Sequence, residues 1–549
     1  MPQNSPPRPR AYGVLPAPEA GLRLKRGFDQ LARVLAVTLG PAQGNVLSYR
    51  PASRDDIEML SDAATIARRV LQLPDRGEDV GAMLLRNLVW RVHTRVGDGC
   101  ATTAVLAQSL LDQAHRAVAA GANPMILRRG IDAAARAALA ALEAQAQPVT
   151  TEDDLIRVAY AITGDPDLSL VLGEMFHILG PEAHIDIKDY LAPYIEREYL
   201  EGGRWQGQLA SPYLYTDDVR RRAVVKSSPV VLIAGTLATL DDLRPILACL
   251  SQLNSRKLVV IAEKITGVAR QALVANHRQE KLHVVAAELK RAGAKLTADF
   301  EDLATLTGAE IIGNIAGPPL QHLRPAYFGV AQRVEATADD LIVVGDRRHH
   351  SAVRARIATL RAHVDALPVG GKDEDQARED LQFRLARLAG QIGVLKIGAF
   401  TKTERNVKRQ HAEKALRALP SALRMGVAPG GGVGYLNCIP AVDSVAVASD
   451  EAAWGKRIVA HALEAPFRQI VRNVGKTEPS MALYEARRRG PDFGYDAIAD
   501  QVAAMREAGI LDAVGVLHTA LATAVSGAMM ALTTEVTVLK RRPRTSLEP

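Results

Sequence analysis

Apolar positions along this chain change their period twice. Near the front, Leu24, Phe28, Leu31 and Leu35 recur at spacings of four, three and four, the stripe of an amphipathic helix. Thr38-Leu39-Gly40-Pro41 stops that stripe with a glycine and a proline. A second helical pattern runs from Ala101 to about Ala120, turns Val105, Leu106, Leu110 and Leu111 to one side, and ends at Gly121-Ala122-Asn123-Pro124. A third follows from Met125 to Ala144. The front of the chain reads as a helical bundle.

The middle reads differently. Short β-branched runs lie at Val230–Gly235, Lys257–Glu263, Leu282–Ala287, Glu310–Gly313 and Asp339–Gly345, and helical patterns separate the first of them at Leu240–Leu253 and Val268–His277. That alternation predicts an α/β layer domain. Beyond Arg354 long helical patterns return, broken by Pro368-Val369-Gly370-Gly371, and continue from Glu404 to the end. The pattern therefore predicts an α/β unit inserted into a helical domain whose halves come from both ends of the chain.

Composition narrows this only a little. A chain of 549 residues exceeds what one core supports, so two to four domains are expected. The apolar fraction is 48% but aromatics are only 4%, so the cores must be built from Ala, Leu, Val and Ile. The net charge of +7 raises a nucleic-acid partner as one reading. The basic residues are nevertheless dispersed among 61 acids, with short runs such as Lys540-Arg541-Arg542, and read as solvated faces. Cys100, Cys249 and Cys438 are odd in number and far apart, which implies no disulfide framework and suits a reducing cytoplasm. The proline-rich start lacks the apolar stretch of a signal peptide, and uninterrupted apolar runs fall short of a membrane span, so a soluble cytoplasmic protein is expected. His349-His350 has no accompanying ligand set and reads as surface.

Three glycine turns carry the candidate chemistry: Thr38–Pro41, Gly97-Asp98-Gly99, and Gly430-Gly431-Gly432. A glycine turn at a helix start lets backbone amides approach a phosphate while the helix dipole favours its charge. An aspartate in such a turn is placed to hold Mg²⁺. Each turn alone more often just connects two elements, and Gly371-Lys372 lacks the spacing of a Walker loop.

Taken in order, TLGPAQGNVL, VGDGCATTAVLAQSLL, GANPMILRRGIDAA, LATLTGAEII, GVAPGGGVGYL, EAPFRQIV, FGYDA and AGILDAVGVLHTALATAVSGAMMALTTE resemble the group I chaperonins, the GroEL family. The resemblance covers nearly the whole chain after the first twenty residues. It implies an all-α equatorial domain from both chain ends (1–144 and 425–549), a small α+β intermediate domain in two pieces (145–200 and 393–424), and an α/β apical domain (201–392). It further implies rings, seven subunits each in the family, client proteins, a co-chaperonin, ATP and Mg²⁺. Carried over by position, Thr38, Leu39, Gly40 and Pro41 would line the phosphates. Asp98 would bind Mg²⁺, and Gly99 and Thr102 would hold the β- and γ-phosphates. Gly431 would meet the ribose or base, and Asp496, Ala497, Ile498 and Asp512 would close the adenosine end.

The departures from that resemblance matter as much. The family's three threonines after Gly-Asp-Gly appear here as Cys100-Ala101-Thr102; two lost donors at roughly 0.5–1.5 kcal/mol each would weaken ATP about ten- to a hundredfold. The family's Lys-Asp-Gly appears as Ser61-Asp62-Ala63, which keeps Asp62 as a catalytic-site carboxylate and loses the lysine. In QHAEKALRAL, Lys414 stands where the family has the aspartate that orients the attacking water. A register slip of one residue would put Glu413 there instead. Otherwise hydrolysis is impaired, or Lys414 pairs with the phosphates or Asp62 and keeps nucleotide bound uncleaved. In the apical groove Leu209, Tyr213, Leu214, Leu247, Val274 and Ala275 would be kept, whereas Arg244 and Arg270 replace apolar positions and would weaken capture of unfolded chains. Two function readings follow: an ATP-binding ring chaperonin with slow hydrolysis, or a non-catalytic paralogue acting as scaffold or as a regulatory subunit in mixed rings.

Overall fold

The computed structural model describes residues 13–42, 44, 46–49, 57–200, 202–217, 221–313, 317–367, 372–390 and 392–539. The proline-rich start, Pro368-Val369-Gly370-Gly371 and the tail Lys540-Arg541-Arg542 lie outside the described residues. Two units are present, one of residues Met1–Pro181 with Ala399–Pro549 and one of Glu182–Gly398. Their borders fall inside the segments 145–200 and 393–424 expected for an intermediate domain.

The two-piece unit is built of helices. The first apolar stripe lies on the helix Glu19–Ala36 and buries Leu24, Phe28, Leu31 and Leu35. Asp75 opens the helix Arg76–Val96 by accepting from the N–H groups of Gly77 and Glu78. Asn123 does the same for the helix Pro124–Ala144, where Pro124 occupies the first turn and forfeits no hydrogen bond. The helix Val514–Leu532 is long and apolar enough to cross a membrane by length and composition, yet 78% of that stretch is buried inside the unit. It is a core helix, packed on Arg76–Val96, Cys100–Ala119 and Pro124–Ala144. Val427–Pro429 pairs antiparallel with Leu511–Ala513 inside the carboxyl-terminal piece, and the two chain ends are stitched by Gly13–Pro16 pairing with Val536–Leu539 and by a bridge from Gln147 to Val427.

The continuous unit holds a seven-stranded sheet in the order Ile311–Gly313, Ala223–Leu237, Gly329–Ala336, Asp340–Gly345, Gly203–Leu209, His283–Leu289, Lys257–Ile265. The last strand pairs back onto Ala223–Leu237, so the sheet returns on itself. Strands at 223–237, 257–265, 283–289 and 311–313 alternate with the helices Leu240–Gln252, Gly267–Arg278 and Ala294–Thr307, the β-α-β alternation expected from the apolar runs. Thr239 and Asp242 form a capping box at the start of Leu240–Gln252. A separate three-stranded sheet joins His184–Asp189, Ile392–Ile397 and Ile195–Leu200. Under the large sheet, Arg387 donates to Asp299 at 2.7 Å and to Asp302, all three fully buried, and its guanidinium lies 4.7 Å from the buried Trp205 ring. Arg384 adds a two-pronged bond to Asp302 at 2.7 and 2.8 Å.

Candidate functional site

The turn Gly97-Asp98-Gly99 joins the helices Arg76–Val96 and Cys100–Ala119, with φ of +74° at Gly97 and +83° at Gly99. Space demands glycine there as much as backbone angle does. A Cβ on Gly97 would stand 2.6 Å from Arg417 Cβ and 2.7 Å from the Lys414 carbonyl oxygen; one on Gly99 would stand 2.9 Å from Val516 Cγ1. The turn is pressed between the helix Lys402–Met425 and the helix Val514–Leu532, so three remote parts of the chain meet around Asp98.

Lys414 Nζ lies 2.9 Å from Asp98 Oδ1, with the two side chains 26% and 28% exposed. Burial works against the ammonium, but the charges of Asp98 and Asp62 outweigh it and hold Lys414 above its ordinary value. Lys414 is therefore a cation at neutral pH and accepts no proton. Glu413, the neighbour that a register slip would place here, points elsewhere and pairs with Arg409 at 3.2 Å. Lys414 thus makes its ion pair with Asp98, not with Asp62. The Asp62 carboxylate caps the helix Ala63–Arg69, accepting from the Thr65 N–H at 2.8 Å and its hydroxyl at 2.9 Å. Ser61 beside it is half-buried.

The replaced threonines have turned inward. Cys100 is buried with Sγ 3.6 Å from the Val89 carbonyl oxygen, and burial pushes its thiol well up. Ala101 is buried, Thr103 donates to the Gly99 carbonyl at 2.8 Å, and Thr102 is half-buried. The helix Cys100–Ala119 starts at Gly99 without a side-chain cap, so its first amides keep the partial positive charge that draws an anion.

A single helix face seats the other two glycine turns. On the helix Asp450–Val474, Phe467, Ile470 and Asn473 follow one another at intervals of three. Asn473 Nδ2 donates to the carbonyls of Ala36 at 2.9 Å and Leu39 at 2.8 Å. A Cβ on Gly40 would meet Ile470 Cγ2 at 3.2 Å, and one on Gly432 would meet the Phe467 nitrogen at 2.8 Å. The Thr38 hydroxyl is used locally, donating to Leu35 at 2.8 Å, while Pro41 is exposed. Gly431, at φ +66°, faces Met505 and the Tyr495 carbonyl. Asp512 pairs across the two-stranded sheet with Ala428; burial, and then the nearby Asp98, push its carboxyl up to about 7. Asp496 is also used locally, accepting from the N–H groups of Ile498 at 2.9 Å and Ala499 at 3.1 Å; Ile498 faces solvent and Ala497 packs against the small core beside Gly431.

Asp98, Lys414, Asp62, Cys100 and Asp512 thus share one electrostatic neighbourhood, whereas the Thr38 hydroxyl, Cys100 and Asp496 spend their polar atoms on the protein itself. Sequence reasoning missed Asn473, and it missed Arg417, whose Nη1 lies 2.9 Å from His93 Nε2. Burial, then Arg417, hold His93 below its ordinary value. Spacing carried the signal in both cases: Arg417 follows Lys414 by three, and Asn473 follows Ile470 by three.

Magnesium does not fit the arrangement expected for it. Magnesium at a phosphate site needs only one or two carboxylates beside the phosphate oxygens, so the test falls on Asp98. Asp98, the one carboxylate of the turn, already has Oδ1 on an ammonium. A divalent ion bound to Asp98 would stand about 4–5 Å from that ammonium, a repulsion on the order of several kcal/mol at an effective dielectric near 20.

In the continuous unit two groove expectations are corrected. Leu209 and Leu214 are buried in the core of the large sheet, because alternate residues of Gly203–Leu209 point inward with Trp205 and the short turn after it folds Leu214 under. Leu247 and Val274 are half-covered by the same core. What faces solvent is Tyr213, 62% exposed with the Arg278 guanidinium 4.6 Å from its ring, together with Arg270, Ala275 and the exposed pair Arg244–Asp241 at 3.1 Å.

Comparison with known proteins accords with this architecture. The TCP-1/cpn60 chaperonin family matches residues 31–175 and 242–542, the larger part of the chain, and the chain belongs to that family. The fold is similar to that of the chaperonin gp146 from the bacteriophage EL 2 (Pseudomonas aeruginosa), crystallised in the presence of ATP-BeFx, with a TM-score of 0.62 over 96% of this chain and 99% of that one at 15% identity.

Proposed function

We propose that this chain is a divergent chaperonin subunit of group I type that binds ATP around the Gly97-Asp98-Gly99 turn, assembles into rings and assists protein folding, with slow or negligible hydrolysis. The observation that carries this reading is the Lys414–Asp98 pair. It sits at an uncapped helix start, between segments from both chain ends, in a chaperonin fold. A phage chaperonin of that fold was crystallised with an ATP analogue, which supports a nucleotide as the ligand. A charged lysine has no lone pair with which to accept a proton from the attacking water, and loss of a group that does so costs about 10²–10⁴-fold in rate.

Two narrow ribbons support ring assembly. The hairpin Val46–Tyr49 with Ile57–Leu60 exposes Leu47, Tyr49 and Met59, with Leu47 directly opposite Met59. The ribbon of the chain ends exposes Val14, Val536 and Val538, with Val14 opposite Val538. Isolated two-stranded ribbons are marginal in water, and one ribbon adding to the other on the next copy is a head-to-tail contact of the kind that closes rings. Light scattering on the purified protein tests assembly. Nucleotide binding measured beside phosphate release tests the site: binding with little release is expected, and brisk release by the unaltered protein rules the reading out.

A second reading, a scaffold or regulatory subunit in mixed rings, draws support from the charged surface around Arg244 and Arg270 and the burial of Leu209 and Leu214. Failure to suppress aggregation of unfolded proteins, with rings intact, would favour it.

A further inference from the structure

The ammonium at Asp98 does more than displace a carboxylate. Lys414 is held where it stands: the turn carrying Asp98 touches the Lys414 carbonyl and Arg417 so closely that Gly97 has no room for a side chain. The charge is aimed at the turn, 2.9 Å from Asp98 Oδ1, and about a quarter of the side chain remains open to a ligand. Asp62, the other carboxylate of the neighbourhood, is committed to Thr65 through one of its oxygens. One fixed positive charge therefore sits where a triphosphate beside Asp98 needs a counter-charge, and it crowds out a divalent ion.

We infer that the Lys414 ammonium replaces the metal, so that the site takes a nucleoside triphosphate in its metal-free form. This rests on the reading of the Asp98 turn as a phosphate site. The ammonium bridges Asp98 and the phosphates as a divalent ion would, but it neither exchanges with solvent nor polarises a water.

Calorimetric titration of ATP in EDTA and in excess Mg²⁺ tests it, on the intact protein and on the Lys414→Met and Lys414→Arg variants, with thermal melts to establish that each is folded. The unaltered protein should bind ATP in EDTA within about threefold of its affinity in Mg²⁺, and Lys414→Met should lose at least about tenfold in EDTA. Lys414→Arg, which keeps the charge, should retain most of the EDTA affinity. An unaltered protein that weakens about tenfold or more in EDTA, or a folded Lys414→Met that does not, overturns the inference and leaves the phosphate site standing. Absence of ATP binding under both conditions overturns the phosphate site itself, and the inference with it.

Discussion

Each unit of this protein holds carboxylates against basic side chains, but at different depths. In the continuous unit, Arg387, Asp299 and Asp302 are shut away from water, and Arg384 reinforces them with a planar two-pronged bond. In the two-piece unit, Lys414 and Asp98 are about a quarter exposed and lie beside a glycine turn and an uncapped helix start. Arginine suits the first because its fork matches a carboxylate and its flat face lies on Trp205. Lysine suits the second because a point charge can serve two anions at once. Pairing alone does not mark a functional site; pairing with unfilled access does.

The comparison can be broken at either end. Arg387→Ala leaves Asp299 and Asp302 short of their central partner, and should cost about 3–5 kcal/mol, lowering the calorimetric unfolding temperature of its unit on the order of 10 °C while ATP binding persists. Lys414→Asp should raise phosphate release by roughly 10²-fold; no increase would mean that the inward turn of Cys100 and Ala101 limits the reaction instead. Asp512 gives a pH test. Its folded pKa of about 7 lies above the ordinary aspartate value of about 4, so the folded chain holds this proton more tightly than the unfolded one. Stability should therefore fall as pH rises from about 4 to 7. Asp512→Asn should melt higher than the unaltered protein at pH 8 and alike at pH 4. Smallest of all, Arg244→Ala breaks a pair in which both side chains are 80% exposed, and its melting point should stay within the change expected of about 0.5 kcal/mol.

Much of the architecture was legible because it is periodic. The stripe of Leu24, Phe28, Leu31 and Leu35 became the buried face of a helix, and each β-branched run of the middle became a strand. Less was legible where pairing is long-range. Ala223–Leu237 extends well before its apolar run, through Pro229, because its first half pairs with Gly329–Ala336 and its second with Lys257–Ile265. No local pattern announces that division. Leu209 and Leu214 looked like groove residues by position, yet strand alternation put them inside. At the site, the sequence located Lys414 but offered the phosphates or Asp62 as its partner; Asp98 emerged only when two segments separated by most of the chain came together. The local bonds of Cys100 and Thr38 were not legible for a related reason, since residue type does not reveal which way a hydroxyl or thiol turns.

Two bonds from one side chain also bear on how the molecule is made. Asn473 fastens the carbonyls of Ala36 and Leu39, residues that leave the ribosome hundreds of positions earlier. Synthesis runs from the amino end, so Glu19–Ala36 can pack early on Arg76–Val96, whereas Cys100–Ala119 and Pro124–Ala144 gain their cover from Asp450–Val474 and Val514–Leu532 only when the carboxyl third arrives. The turn at Leu39 is thus fastened last, after nearly all of the chain has been made.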